Sequence, residues 1–256
     1  MAMTWAGRRR LTISLIAGAI VMVLIAIGFT TALYKAPSCT DNKLNQNETG
    51  VDCGGSCSYL CNAQVKQPVV LFTKLLINNS GRTDVVASVE NKNTDAAARN
   101  VSYVVTLYAA DQSIIRELGG TLDLPPRTTV PVFMPNVLSG GETATRAFLE
   151  IASTSPKWFA LSADPRIVPI VSNTTLTGAA STPRVEAVLA NPSVSSMKNV
   201  RVIVLVHGAG GNIIAASATV VSAIPAQGRA TATFTWNETF SSTLSLLEVV
   251  PIIPLP

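Results

Sequence analysis

The sequence has a single histidine, few aromatic residues and few charges, and each shortage excludes a class of function. His207 alone cannot form a histidine metal cluster, and a catalytic base would need a nucleophile in reach. Charged residues are 13% of the chain and aromatic residues 5%. The net charge is +4 without a basic stripe, so we expect no nucleic-acid partner. The abundance of Val, Thr, Ala, Ser and Asn favours strands and turns over helices.

The longest apolar run, residues 11–34, contains no charge and follows Arg8, Arg9 and Arg10. As a helix it would span about 35 Å, enough to cross a bilayer. We predict a cytoplasmic tail over residues 1–10 and a single-pass transmembrane helix over 11–34, with the rest of the chain extracytoplasmic. Tyr34 and Lys35 are typical of residues at the extracytoplasmic interface of the spanned membrane. The alternative is a cleaved signal peptide, but the run is long for one and lacks a clean cleavage site.

All four cysteines lie in a short segment behind this run, within a predicted cysteine-rich module over residues 36–64. An even number of cysteines in an exported segment predicts disulfides, and four cysteines allow three pairings. Zinc is the alternative, but the spacing fits no common zinc pattern and no histidine lies nearby. The predicted disulfide residues are Cys39, Cys53, Cys57 and Cys61.

The same module concentrates side-chain oxygens between its first two cysteines. Calcium takes six to eight oxygen ligands, so this cluster is a candidate calcium site and the one cofactor that the sequence suggests. The pattern is not an EF-hand, because Lys43 and Gln46 occupy positions that would need a ligand and a glycine. Alternatively, these side chains cap turns through backbone amides. The candidate ligands are Asp41, Asn45, Asn47, Glu48 and Asp52.

The module resembles a short cysteine-rich motif of exported bacterial surface proteins. These include membrane-anchored proteins of uncharacterised function from candidate-phylum bacteria. Their pattern is C-x-D-x3-N-x2-E-x2-V-D-C-G-G-x-C, and Cys61 corresponds loosely to a final cysteine that commonly lies two or three residues further on. The resemblance implies a location and is silent on activity. The matching residues are Cys39, Asp41, Asn45, Glu48, Val51, Asp52, Cys53, Gly54, Gly55 and Cys57.

The remainder of the chain contains an internal repeat with an offset near 100 residues. Alternating segments separated by turn clusters predict two tandem β-sandwiches, over residues 66–164 and 165–256. In the second copy, Val200, Val202, Val204 and Val206 share one strand face. The matching segments are 85–91 with 185–191, 100–107 with 199–206, 111–115 with 210–214, 124–127 with 224–227, and 148–151 with 246–249.

Two features of the repeat suggest local structure. Asn91 and Asn191 each end a strand before a polar turn, where asparagine can bond its own loop, so we expect a structural role for both. Trp158 and Phe159 precede the boundary between the copies, and we expect this aromatic pair to pack at the joint.

The strand pattern of both copies resembles the Ig-like or fibronectin-III-like domains of bacterial envelope proteins, including the FxLYD-like and CARDB-like families. That resemblance implies adhesion, spacing or assembly, and neither family implies catalysis. The overall fold class is therefore all-β, with an N-terminal transmembrane helix and a small disulfide-rich module.

We found no catalytic constellation in the sequence. His207 is expected near a hairpin tip, and the glycines that follow it lack the Lys-Ser/Thr of a phosphate loop. The acids Asp111, Glu117 and Asp123 are expected to be surface carboxylates. We predict a non-catalytic, membrane-anchored surface protein with a protein partner in the cell envelope. The alternative is a calcium-dependent receptor for an extracellular glycan or peptide.

Overall fold

The computed structural model describes residues 4–33, 38–78, 81–138, 140–152, 156–240 and 243–256. The chain divides into two compact units, Met1–Cys57 and Ser58–Pro256. The second is called the β unit below. The domain boundaries predicted near residues 65 and 164 remain predictions.

The first unit begins with one long helix, α1, over Trp5–Leu33. It starts before the predicted apolar run, so Arg8, Arg9 and Arg10 lie in its first turns. Residues Trp5–Thr31 are apolar and long enough to cross a membrane, and none of their most hydrophobic window is buried within the chain. It is the one such helix in the described ranges, and a signal sequence would share these properties. The predicted interface residues Tyr34 and Lys35 lie outside the described residues.

The β unit is built from antiparallel strands, preceded by a short 3₁₀ helix at Asn62–Gln64. All pairings between the named strands are antiparallel. The strands are β1 (Val69–Ile77), β2 (Thr83–Asn91), β3 (Ala96–Tyr108), β4 (Ile114–Leu124), β5 (Thr128–Met134), β6 (Arg146–Ile151), β7 (Trp158–Ala160), β8 (Ile170–Thr177), β9 (Arg184–Ala190), β10 (Met197–Gly208), β11 (Ile213–Ile224), β12 (Arg229–Thr235) and β13 (Leu244–Ile252).

The strand order repeats in the two halves of the β unit. In the first half, β1-β2-β5 form one sheet and β4-β3-β6 another, with β7 paired to β3. In the second half, β8-β9-β12 and β11-β10-β13 form the corresponding sheets. The segments matched in the sequence therefore fall on strands that hold equivalent places in the two halves.

Three apolar clusters pack the four sheets into layers. The first cluster lies between the two sheets of the first half, around Val105 and Trp158. The second lies between the two sheets of the second half, around Val202 and Phe234. The third joins the β1-β2-β5 sheet to the β11-β10-β13 sheet and is called the seam below; its buried members are Val86, Phe133, Ile203, Leu205, Ile213 and Ala216.

The seam explains why β10 is buried on both faces. In β10, Val202 and Val204 pack within the second half, whereas Ile203 and Leu205 point to the seam. In β9, the central strand of a sheet that contributes nothing to the seam, buried and partly exposed residues alternate instead. A nearly continuous apolar run is typical of a strand covered on both sides.

Asn91 and Asn191 confirm the structural role expected for them. The Asn91 Nδ2 donates to the carbonyl oxygens of Ala96, Leu124 and Pro125, at 2.9, 3.1 and 2.8 Å. The Asn191 Nδ2 donates to Ser195, Ile224 and Pro225, at 2.8, 3.3 and 3.0 Å. Both asparagines are almost fully buried. Each therefore ties its strand end to the turn that follows and to the end of a strand in the facing sheet.

The expectation for the aromatic pair before the boundary is wrong for Trp158. The pairing of β7 with β3 places the Trp158 side chain between the two sheets, where it is buried in the core of the first half. Phe159 is only partly buried, and the Arg99 guanidinium lies 4.6 Å from the centre of its ring. The joint between the halves is formed by the seam, which contains Phe133 and neither of these residues.

Candidate functional site

The predicted calcium ligands lie in residues 38–57, called the acidic loop below. Asp41 and Asn45 are in direct contact, since the Asn45 Nδ2 donates to Asp41 Oδ2 at 2.9 Å. The backbone N–H groups of Ser38 and Lys43 also donate to the Asp41 carboxylate, at 3.3 and 3.0 Å. Asp41 thus organises the turn around itself.

Asp52 and Glu48 close the acidic loop by the same chemistry. The Asp52 carboxylate accepts the N–H groups of Asp41 and Asn42, at 3.0 and 2.9 Å. The Glu48 Oε2 accepts those of Asn45 and Asp52, at 3.3 and 3.2 Å. In these bonds, carboxylates accept the backbone N–H groups that a helix or strand would pair with carbonyl oxygens. This is the turn-capping role given as the alternative to calcium binding.

The electrostatics of Asp41 follow from these contacts. The hydrogen bond from Asn45, and then those from the Ser38 and Lys43 backbones, hold the pKa of this carboxyl below its ordinary value of 3.8. The nearby Lys43 charge acts in the same direction. Asp41 is therefore an anion at neutral pH and a good acceptor.

The cysteines of the module are all disulfide-bonded, as predicted. Cys39 pairs with Cys57, which settles one bond of the connectivity that the sequence left open. Thiolates are the cysteine ligands of zinc, and a disulfide offers none. The cysteine pattern is consequently a set of covalent cross-links and not a zinc site.

Glu48 also touches this disulfide. Its Oε1 lies 3.1 Å from Cys57 Sγ, and because that sulfur carries no hydrogen the contact is not a hydrogen bond. Among the described residues, one group of three His, Cys, Asp or Glu side chains has its ligand atoms within 4.8 Å of one another. It consists of Cys39, Glu48 and Cys57. Two members of that group are disulfide sulfurs, so it does not provide a metal ligand set.

The acidic loop retains one feature that a cation would satisfy. The Asn45 Oδ1 is buried and has no hydrogen-bond partner. The fifth candidate, Asn47, is exposed and has a φ of 65°. A Cβ on Gly55 would lie 1.8 Å from the Asn47 carbonyl oxygen, so the close approach of these segments requires glycine. The structure thus brings Asp41, Asn45, Glu48 and Asp52 together, and the calcium site stays a prediction.

Two other residues considered for chemistry, His207 and Asp111, have structural partners. His207 lies next to the β10–β11 turn, with its Nδ1 3.2 Å from the Gly211 carbonyl oxygen and its Nε2 3.0 Å from Glu248 Oε2. Asp111 accepts the N–H and the hydroxyl of Ser113, at 3.0 and 2.7 Å. These contacts hold turns and neighbouring strands in place.

A cleft at one edge of the seam was missed by sequence reasoning. It has a volume of about 430 Å³ and lies between the two halves, lined mainly by residues of β3, β4, β5, β10 and β13. Tyr103 and Arg201 contribute polar groups, and Pro131, Phe133 and Pro251 contribute apolar walls. The signal available in the sequence was Arg201, a charge inside the otherwise apolar run of β10.

Comparison with known proteins gives distant structural similarity alone. No protein-family model matches this chain, and no curated protein matches it. It is similar to the crystal structure of red sea bream transglutaminase, with 12% identity and a TM-score of 0.22. The similarity covers 73% of this chain and 31% of that one, so this chain spans about a third of its length. A similarity at this TM-score supports no inference about fold or activity.

Proposed function

We propose that the chain is a single-pass membrane protein whose β unit presents Ig-like domains outside the membrane for protein contact, envelope assembly or adhesion. The observation that carries this proposal is α1, which is uncharged from Leu11 onward and has none of its most hydrophobic window buried. Such a helix has no partner within the described chain to cover its apolar surface, and a bilayer would cover it. The three arginines at its start favour a cytoplasmic N-terminus.

The rest of the chain supports an extracytoplasmic, non-catalytic role. Disulfides persist in oxidising compartments, and all four cysteines are oxidised. A pair of antiparallel sheets with the same strand order occurs in each half, which suits two Ig-like domains in tandem. His207 and Asp111 bond to neighbouring strands and turns, and they lie in different halves of the β unit.

The topology is tested by protease treatment of intact spheroplasts that carry the full-length chain. We expect the protein to resist alkaline extraction from membranes and the β unit to be cut by external protease. A variant with Arg8, Arg9 and Arg10 changed to Glu should lose this fixed orientation. A β unit cut only after lysis, or a full-length chain released into the medium, would contradict the proposal.

The contact function is tested by chemical cross-linking on intact cells, with the full-length protein recovered afterwards. We expect adducts of defined mass that contain another envelope protein. The matched control is the same chain solubilised before the reagent is added, which should yield no such adduct. If lysine-reactive and carboxylate-reactive reagents both gave no adduct on cells, the proposed contact would be wrong.

The alternative is a calcium-dependent receptor, and the unpartnered Asn45 Oδ1 is the observation that favours it. Asp41, Asn45, Glu48 and Asp52 would supply the oxygens. Calorimetry with Ca²⁺ on the full-length protein should then give heat that is weakened in Asp52→Asn, a variant that keeps an acceptor oxygen for the Asn42 N–H. No heat with the unaltered chain removes this alternative.

A further inference from the structure

The cleft at the seam combines a free positive charge with apolar walls. Its lining comes from both halves of the β unit, and pockets at such junctions are common ligand sites. Its volume of about 430 Å³ falls within the range of small-molecule pockets. The polar groups in it decide which ligands could bind.

Arg201 provides the free charge. It is exposed, and one of its N–H groups donates to the Phe133 carbonyl oxygen at 3.0 Å, which positions the guanidinium across the seam. No carboxylate in the described part of the chain lies within salt-bridge distance of it. A guanidinium has five N–H donors, so most of them remain available to a ligand.

The other charged groups of the cleft are already engaged. Arg166 forms a salt bridge with Asp164 at 2.7 Å and donates to the Ile253 carbonyl oxygen at 2.9 Å. The Asp123 carboxylate accepts the N–H groups of Asn100 and Leu255, at 2.8 and 2.7 Å. Arg201 is therefore the cation with which a ligand would pair.

Tyr103 adds a neutral donor beside this cation. Its ring lies over Gly120, where a Cβ would be 2.3 Å from the Tyr103 hydroxyl oxygen. Burial raises the pKa of Tyr103, and the neighbouring Arg201 charge offsets part of that rise. The phenol therefore keeps its proton at neutral pH and can donate a hydrogen bond.

We propose that this cleft binds a small organic acid, with its carboxylate held by Arg201 and Tyr103 and its apolar body against Pro131, Phe133 and Pro251. One available cation and one neutral donor match a single negative charge. A phosphate dianion would bring a second charge close to Asp123 without a second free cation. This site is separate from the proposed contact function and does not depend on it.

The test uses benzoate as the probe and benzamide as its uncharged counterpart, with binding to the full-length protein followed by ligand-observed NMR. We expect benzoate to bind at least about tenfold more tightly than benzamide, because a charge-assisted pair is lost in the amide. Arg201→Gln should weaken benzoate by a similar factor and leave benzamide unchanged. The matched control is Arg229→Gln, an exposed arginine on β12 outside the cleft lining.

Two further variants keep the test decisive if Arg201→Gln fails to fold. Arg201→Lys keeps the charge but loses the planar fork, and should bind benzoate with intermediate affinity. Tyr103→Phe removes only the hydroxyl and should weaken benzoate severalfold without affecting benzamide. Equal binding of the two probes, no binding of benzoate at millimolar concentration, or unchanged benzoate affinity in the folded Arg201 variants would overturn the proposal.

Discussion

The acidic loop and the β unit are stabilised by different physical means. In the loop, the Cys39–Cys57 disulfide and hydrogen bonds to Asp41, Glu48 and Asp52 fix the backbone, and no loop residue belongs to an apolar core cluster. In the β unit, three apolar clusters join four sheets. The loop should therefore depend on redox conditions, whereas the β unit depends on buried apolar area.

The largest effect should come from breaking the seam. Phe133 is 4% exposed and belongs to the cluster between the two halves. We expect Phe133→Ala to lower the free energy of unfolding of the β unit by about 3–5 kcal/mol, because a large buried ring is replaced by a cavity. Urea unfolding followed by circular dichroism would measure it.

The control for the seam is another phenylalanine in the same half. Phe148 lies on β6 and is 52% exposed, so Phe148→Ala should cost less than about 1 kcal/mol even though it loses a ring contact with Tyr108. If both variants cost the same, the halves would not be joined by a packed core. The acidic loop should be unaffected by either change.

The seam also marks a limit of what the sequence predicted. The alternation of Val200, Val202, Val204 and Val206 indicates one buried face of β10. All four are buried, and the first three pack in the core of the second half. Ile203 lies on the opposite face of β10, and the alternation does not predict what packs against that face. Period-two patterning describes a strand covered on one side, and only the tertiary stack shows what covers the other.

The second effect, in order of size, concerns the covalent link of the acidic loop. We expect the double variant Cys39→Ser/Cys57→Ser to lose about 3 kcal/mol of local stability, because the bond closes a segment with a sequence separation of 18 residues. Hydrogen exchange should then accelerate at the amides of Asp41 and Asn42, which donate to Asp52.

The β unit provides the internal control for this variant. Its thermal midpoint should stay unchanged, since the three apolar clusters contain neither cysteine. If the β unit unfolded together with the loop, the disulfide and the apolar clusters would not stabilise the two regions independently.

The third prediction compares the two halves at their equivalent asparagines. Asn91→Ala and Asn191→Ala should each cost about 2 kcal/mol, because buried carbonyl oxygens would lose the Nδ2 donor. Chemical denaturation would measure both. The matched control is Asn212→Ala in an exposed turn, which should change stability by less than about 0.5 kcal/mol. A large difference between the Asn91 and Asn191 variants would mean that the repeat in strand order is not a repeat in energetics.

The structural role of these asparagines could be predicted from the sequence, whereas the cleft could not. A polar residue that ends an apolar strand before a turn has a local explanation, and Asn91 does bond to Asn93 and Ala96 in and after that turn. Its bonds to Leu124 and Pro125 reach a distant part of the chain and have no such local signal. The seam cleft instead combines Tyr103 and Arg201, which are nearly a hundred residues apart in the printed sequence. Their meeting depends on how the halves stack, and no local pattern encodes that.

The smallest effect should be a pH dependence at the linker between the halves. The hydrogen bond from Arg166 lowers the pKa of Asp164 from its ordinary value of 3.8. A carboxyl whose pKa is lower in the folded state stabilises the protein above the unfolded value, and this stabilisation disappears as pH falls through the folded value. We expect Asp164→Asn to cost a few tenths of a kcal/mol at neutral pH, since the pair is partly exposed, and nothing well below pH 3.8. Chemical denaturation of the unaltered chain and of Asp164→Asn, from neutral pH to below 3.8, would measure the difference in free energy of unfolding. A difference that grows on acidification would contradict the expected sign.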